Sequence, residues 1–299
     1  MTDFSGMSFD APLEVYAPGL REPAFTVARP QRVKAPILFA SPHSGTIYPS
    51  DLTERLALPL INLRRTEDAF VDQLFASAPD QGATLIHANY ARSYVDLNRD
   101  ARELDADMFS DGLPRTAGLP GTRVKAGLGC LPKVGSTGEI FYASKLTAAE
   151  GKKRLTYIHD AYHSGLKAEL DQLRRDWPEC ILIDCHSMPS RQPGRGRLPD
   201  IVLGDRFGSS CHSKLTSLVE RYFRKVGFSV ARNAPYAGGY ITRAYGRPKR
   251  GCHVLQIEIN RSLYMDEQMV KKNRGFEPTE NVISQLVSDL MVFAARFCG

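Results

Sequence analysis

The sequence predicts an α/β fold with a mostly parallel or mixed sheet. Three observations point there. Short apolar runs alternate with amphipathic stretches along the chain, which is the pattern of strands separated by helices. Several of the runs, such as Ala35-Pro-Ile-Leu-Phe-Ala40 and Cys180-Ile-Leu-Ile-Asp184, are almost continuously apolar, as buried strands are. The length of 299 residues, with 42% hydrophobic and 24% charged residues, suits one α/β domain across 1–299.

The elements follow in order. Residues 1–34 hold four prolines and no periodicity, so they read as an irregular lead-in with room for one short edge strand. The first firm strand, Ala35–Ala40, runs into Ser41-Pro-His-Ser-Gly45. Phe70, Val71, Leu74 and Phe75 fall at helical spacing and predict an amphipathic helix over 66–78. A second strand spans Thr84–Asn89. Residues 100–145 are rich in Gly and Pro, and so long a segment inside a compact domain is usually functional or partly mobile. The longest helix covers 147–176, with Leu155, Ile158, Tyr162, Leu166, Leu170 and Leu173 on one stripe. Thr147 and Glu150 form a capping-box pattern at its start. A third strand is Cys180–Asp184, followed by Cys185-His-Ser187, and a loop over 188–199. Asp200–Gly204 is a strand, 209–226 a helix, Phe228–Ala231 a strand, His253–Ile259 a strand and Val282–Phe297 a closing helix.

Composition narrows the function classes. Lys plus Arg exceeds Asp plus Glu by 39 to 33, a net charge of +6. The excess is dispersed and not interleaved with aromatic residues, which suits an acidic substrate and argues against a nucleic-acid partner. Six cysteines, none in a C-x-x-C pair, read as reduced and buried. There is no 18-residue apolar stretch for a membrane span, and the polar start has no secretory pattern, so the expected compartment is the cytoplasm. No pattern sets an oligomeric state.

The chemistry gathers on a few residues. His43 and His186 each follow a short apolar strand and each precedes Ser. Open α/β sheets place ligands at the carboxyl ends of strands, where two imidazoles can share zinc. Either histidine alone reads as an ordinary loop or core residue; it is the matched contexts that favour the site. H-E-x-x-H is absent, so a third ligand must come from elsewhere. Glu67 and Asp68, at the start of the predicted helix, are candidates, though the helix dipole also favours acids there. Glu258 interrupts a buried-looking strand, and an ionised Glu there needs a reason. It is a candidate general base, or else the partner of Arg261 or a residue of an exposed face. Arg92, Asn98 and Arg99 cluster with Asp96, and Arg forks match carboxylates. Tyr240 and Arg243 lie on a glycine-rich turn, as a substrate-closing loop or a simple tight turn. Arg191, Arg195 and Arg197 make a basic loop, as an anion site or a solvated surface. G-x-S-x-G, P-loop and G-x-G-x-x-G motifs are absent, which disfavours a serine hydrolase and a nucleotide enzyme.

Five separated motifs occur in the order seen in N-formylglutamate amidohydrolases. They are Ser41-Pro-His-Ser-Gly45, Glu67-Asp68 with Val71-Asp72, Val95-Asp-Leu-Asn-Arg99, Asp184-Cys-His-Ser187 and Leu255-Gln-Ile-Glu-Ile-Asn-Arg261. From about residue 35 onward the chain resembles that family. The family is similar in fold to zinc carboxypeptidases and aspartoacylase-type deacylases, which implies a zinc-exopeptidase-like, three-layer α/β/α sandwich. The resemblance implies one zinc ion per chain, held by His43, His186 and Asp68, with Glu67 in reserve. It makes Glu258 the general base and Arg92 the group that polarises the scissile carbonyl. Asn98 and Arg99 are implied to bind substrate, and Tyr240, Arg243 and Arg261 are candidates for the same role. The expected substrate is N-formyl-L-glutamate or a similar small acidic N-acyl amino acid. The rivals are another N-acyl amino acid deacylase, a carboxypeptidase-like peptidase and, more distantly, a non-catalytic polyanion-binding protein.

Overall fold

The computed structural model describes residues 22–114, 117–135 and 138–298. Its strands are β1 (Phe25–Ala28), β2 (Ile37–Ser41), β3 (Thr84–Ala88), β4 (Cys180–Met188), β5 (Arg191–Gln192), β6 (Gly196–Arg197), β7 (Ile201–Gly204), β8 (Val230–Arg232), β9 (Cys252–Asn260), β10 (Met265–Asp266) and β11 (Lys271–Lys272). Seven of them form one sheet in the order β1-β3-β2-β4-β9-β7-β8. β3, β2, β4 and β9 run parallel, β1 is antiparallel to β3, and β7 and β8, parallel to each other, run against β9. The sheet is therefore mixed, and the lead-in supplies the short edge strand β1.

Alternation along the central strands sorts side chains into two cores. Ile37, Phe39, Ile183, Leu255 and Ile257 face one way, against the Ser213–Lys225 and Phe276–Phe297 helices. Leu38, Ala40, Leu182 and Val254 face the other, against Tyr162, Leu166 and Leu170 of the Ala161–Asp176 helix. Helices on both faces of one sheet make a three-layer sandwich. The capping box at Thr147 and Glu150 is formed, and the helix it starts runs through a π-helical turn, Leu155–Asp160, before continuing as Ala161–Asp176.

Three expectations are corrected. The helix over 66–78 is two single turns, Val71–Leu74 and Ala78–Gln81, because Phe70 adopts a left-handed backbone (φ 66°) and Pro79 begins a new turn. Glu67 and Asp68 thus sit in a turn and not on a helix. β4 runs on to Met188, so His186 lies within the strand and not beyond it. The closing helix starts six residues early, at Phe276. The described residues of the 100–145 segment have little regular structure, yet Leu104, Met108, Phe109, Leu131 and Phe141 are buried in the second core. It is a packed part of the fold and forms one wall of the cavity described next.

Candidate metal centre and catalytic cavity

A cavity of about 430 Å³ opens over the carboxyl ends of β2, β4 and β9. Sheet geometry explains its polar floor. Residues two apart on a strand share a face, and β4 and β9 pair in register with Asp184 opposite Gln256 and His186 opposite Glu258. Four polar side chains therefore form a square where the same face, one step earlier, carries Leu182 and Val254.

His43 and Asp68 join this square from the turns beside β2. The Asp68 backbone N–H donates to the His43 carbonyl at 3.0 Å, which locks the two turns together. Gly45, two residues past His43, passes so near the Tyr90 carbonyl that a Cβ there would lie 2.2 Å from its oxygen, so this turn requires glycine. His43 Nδ1 lies 3.3 Å and His186 Nδ1 2.8 Å from Asp68 Oδ2. These three residues are buried and offer ligand atoms all within 4.8 Å of one another, and this is the one such group among the described residues that could hold a metal ion.

The atoms pointing away from the centre are also held. His43 Nε2 is 2.7 Å from Asp96 Oδ1, and His186 Nε2 is 2.9 Å from Asp184 Oδ1. A carboxylate behind each imidazole fixes its tautomer and leaves Nδ1 free as a ligand. Arg261 donates to Asp68 Oδ1 at 3.0 Å, and Arg92 Nη1 lies 3.6 Å from the same atom. Burial alone pushes Asp68 up, but His186, His43 and Arg92 hold it well below the usual carboxylate range. Burial likewise pushes His186 down, while Asp184 and Asp68 hold it well above the usual histidine range. A buried, polar set of two imidazoles and one carboxylate suits zinc, with ring protons given up on binding.

Glu258 is 7% exposed and does not pair with Arg261. It accepts from Gln256 Nε2 at 2.9 Å, and burial pushes its pKa up to about 8 against the opposing pull of His186. Its face of β9 is buried and lines the cavity floor, and is not an exposed surface. Asn98 lines the same cavity beside His186. Its Oδ1 accepts from the Ile241 N–H at 2.8 Å, and its Nδ2 is 3.1 Å from His186 Nε2. A Cβ on Gly239 would meet Asn98 Nδ2 at 2.3 Å, so the glycine admits this amide. Arg99 binds the Leu128 carbonyl through Nε and the Asn98 carbonyl through Nη1.

Other expected residues sit elsewhere. Glu67 turns away from Asp68, towards the Tyr48 hydroxyl and Arg64, and lines a separate cavity. Tyr240 and Arg243 are not among the residues that line this cavity. Arg243 lies over the Tyr240 ring, 3.8 Å from Asp100 and Glu103. Arg261 lines the cavity, but its guanidinium is committed to Asp68, Ser187 and the Arg65 carbonyl. Arg191, Arg195 and Arg197 are exposed in and around the β5–β6 hairpin.

Sequence reasoning leaves several residues of the candidate site out. Asp184-x-His186 and Gln256-x-Glu258 carry a usable signal, two polar residues at strand period 2 in apolar runs. Asp96 is visible only as a neighbour of the arginines. His159 and His163 are delivered by the π-helical turn and the start of the following helix. They lie 2.9 Å from the Arg99 and Leu97 carbonyls, and so clamp the chain on both sides of Asn98. Arg123 reaches the cavity from the 100–145 segment.

The N-formylglutamate amidohydrolase family model matches residues 35–265. The N-formylglutamate deformylase of Pseudomonas putida is 32% identical over 270 residues, covering 88% of this chain and 95% of that protein. That of Pseudomonas aeruginosa is 31% identical over 274 residues, with the same coverage. The crystal structure of N-formylglutamate amidohydrolase from Ralstonia eutropha JMP134 is similar at a TM-score of 0.86 and 34% identity, over 91% of this chain and 99% of that one. With that agreement in sequence and backbone, the chain is a hydrolase and belongs to the N-formylglutamate amidohydrolase family.

Proposed function

We propose that this cavity hydrolyses N-formyl-L-glutamate to formate and L-glutamate, with one zinc ion held by His43, Asp68 and His186. The observation that carries the reading is the convergence of His43 Nδ1, His186 Nδ1 and Asp68 Oδ2 beside a buried glutamate. Zinc bound there supplies Lewis acidity and makes water a nucleophile near neutral pH.

The chain's own residues do the rest. Glu258 takes a proton from the attacking water as its oxygen bonds to the formyl carbon. It then gives that proton to the amide nitrogen as the C–N bond breaks. Register with His186 places the Glu258 carboxylate beside the candidate ligands, where a bound cation would favour the ionised form that accepts the proton. Arg92 offers positive charge to the developing oxyanion, a kind of contact worth about 3–4 kcal/mol where a donor is preorganised. Asn98 and Arg99 bind a substrate carboxylate. Asp184 and Asp96 hold the imidazoles in register. The six free, buried cysteines suit a reducing compartment, and we place the enzyme in the cytoplasm.

The test is formate or acid release from N-formyl-L-glutamate, N-acetyl-L-glutamate and N-succinyl-L-glutamate by zinc-loaded protein. The expected result is a clear preference for the formyl amide. Preferential turnover of the acetyl or succinyl compound would move the reading to a different deacylase.

A further inference from the structure

The 100–145 segment brings a second arginine to the cavity that Arg99 lines, and ties its backbone there. The Asp96 N–H donates to the Cys130 carbonyl at 2.8 Å, the Cys130 N–H to the Glu103 carbonyl at 2.7 Å, and Arg99 Nε to the Leu128 carbonyl at 3.1 Å. The Leu128 N–H in turn donates to the Arg123 carbonyl at 2.8 Å. Arg123 is thus tied through one short turn to the loop that carries Asp96, Asn98 and Arg99. Both arginines line the cavity.

Their partners differ from those of the other arginines beside the metal centre. Arg92 pairs with Asp96 and Asp68, and Arg261 with Asp68. Arg99 Nη2 has its nearest carboxylate oxygen at 4.0 Å. Among the described residues, no carboxylate lies within ion-pair reach of Arg123, and Glu103 and Asp96 act on it only at longer range. The charge of Arg99, followed by burial, pushes the pKa of Arg123 down. Two guanidinium groups held in mutual repulsion at a cavity wall are stabilised by an anion placed between them.

We propose that Arg99 and Arg123 form the subsite for the side-chain carboxylate of the substrate, and that Arg123 sets the preference for an acidic amino acid. This deepens the amidohydrolase reading and rests on it. The irregular 100–145 segment then carries the specificity wall, while the sheet carries the chemistry.

The experiment compares N-formyl-L-glutamate with N-formyl-L-glutamine, and L-glutamate with L-glutamine, on wild type, Arg123→Met and Arg123→Lys. Arg123 sits on a single helical turn, Thr122–Lys125, outside the sheet and apart from both apolar cores, so both variants are expected to fold. The ratio of kcat/KM for the glutamate over the glutamine substrate is expected to fall roughly 10- to 100-fold in Arg123→Met, with partial recovery in Arg123→Lys. Calorimetric binding of L-glutamate should weaken relative to L-glutamine in the same order. An unchanged ratio in a catalytically active enzyme overturns the subsite. Arg123-dependent glutamate binding without any formate release keeps the subsite and overturns the hydrolytic reading instead. Binding that ignores Arg123 in a protein without formate release overturns both.

Discussion

His186 and Glu258 stand opposite one another in register on the parallel strands β4 and β9, with both side chains on the same face of the sheet. A candidate ligand and a candidate base are thus set by backbone pairing and not by a mobile loop. Strand period 2 then places Asp184 behind His186 and Gln256 beside Glu258. The sheet aligns four polar groups at once, which is the precision that proton transfer requires.

Glu258→Gln keeps the shape of the side chain and removes its ability to accept a proton. The variant is expected to bind zinc as wild type does, with kcat lower by about 10²–10⁴-fold. Elemental analysis and steady-state rates read both quantities. Retention of most of kcat would send the proton elsewhere, and loss of the metal would make Glu258 a ligand.

Arg261 is expected to position Asp68 and not to bind substrate. Removing one partner of a buried pair leaves the other charge uncompensated, at a cost of about 3–5 kcal/mol. Arg261→Met should therefore unfold at clearly lower denaturant and bind zinc more weakly. Arg99→Met should instead raise KM and leave unfolding nearly unchanged. An Arg261→Met protein of normal stability with a high KM would exchange the two roles.

His163 offers a pH test away from the metal centre. Burial, with His159 as a second cause, pushes its pKa down to about 3, against 6.5 for a free imidazole. Below pH ~6.5 the unfolded chain takes up a proton that the fold excludes, so stability falls as pH drops from there towards about 3. His163→Gln keeps an N–H near the Leu97 carbonyl and removes this linkage. Between pH 7.5 and 5, wild type should lose on the order of 2 kcal/mol more than the variant in urea unfolding. Equal losses would show that His163 is protonated in the folded protein.

The sheet is legible in the sequence because each central strand is a short apolar run bounded by turn residues. Helix boundaries are less so. Phe70 has helical spacing with Val71 and Leu74, but its backbone is left-handed, and spacing carries no trace of that. The two histidines of the candidate metal site are legible through their matched contexts, and His186 proves to lie on its strand. The choice of Asp68 over Glu67 comes from the family resemblance and not from spacing, since adjacent residues in a turn point to opposite sides and only the fold brings one of them to the imidazoles. Tyr240 and Arg243 look like substrate residues beside their glycines. The glycine next to them is instead required by Asn98, whose amide passes through the space a side chain would fill. Arg123 lies in a segment without periodicity, so its approach to Arg99 comes from backbone hydrogen bonds that no local pattern announces.

Metal content and formate release, measured on the same preparations of wild type and His186→Ala, test the central claim most directly. Wild type is expected to hold one zinc per chain, to lose N-formyl-L-glutamate hydrolysis in step with zinc on chelation, and to regain it with one equivalent of zinc. His186→Ala is expected to hold little zinc and to release no formate. Full activity in chelated wild type, or in a zinc-free His186→Ala protein, would contradict the account.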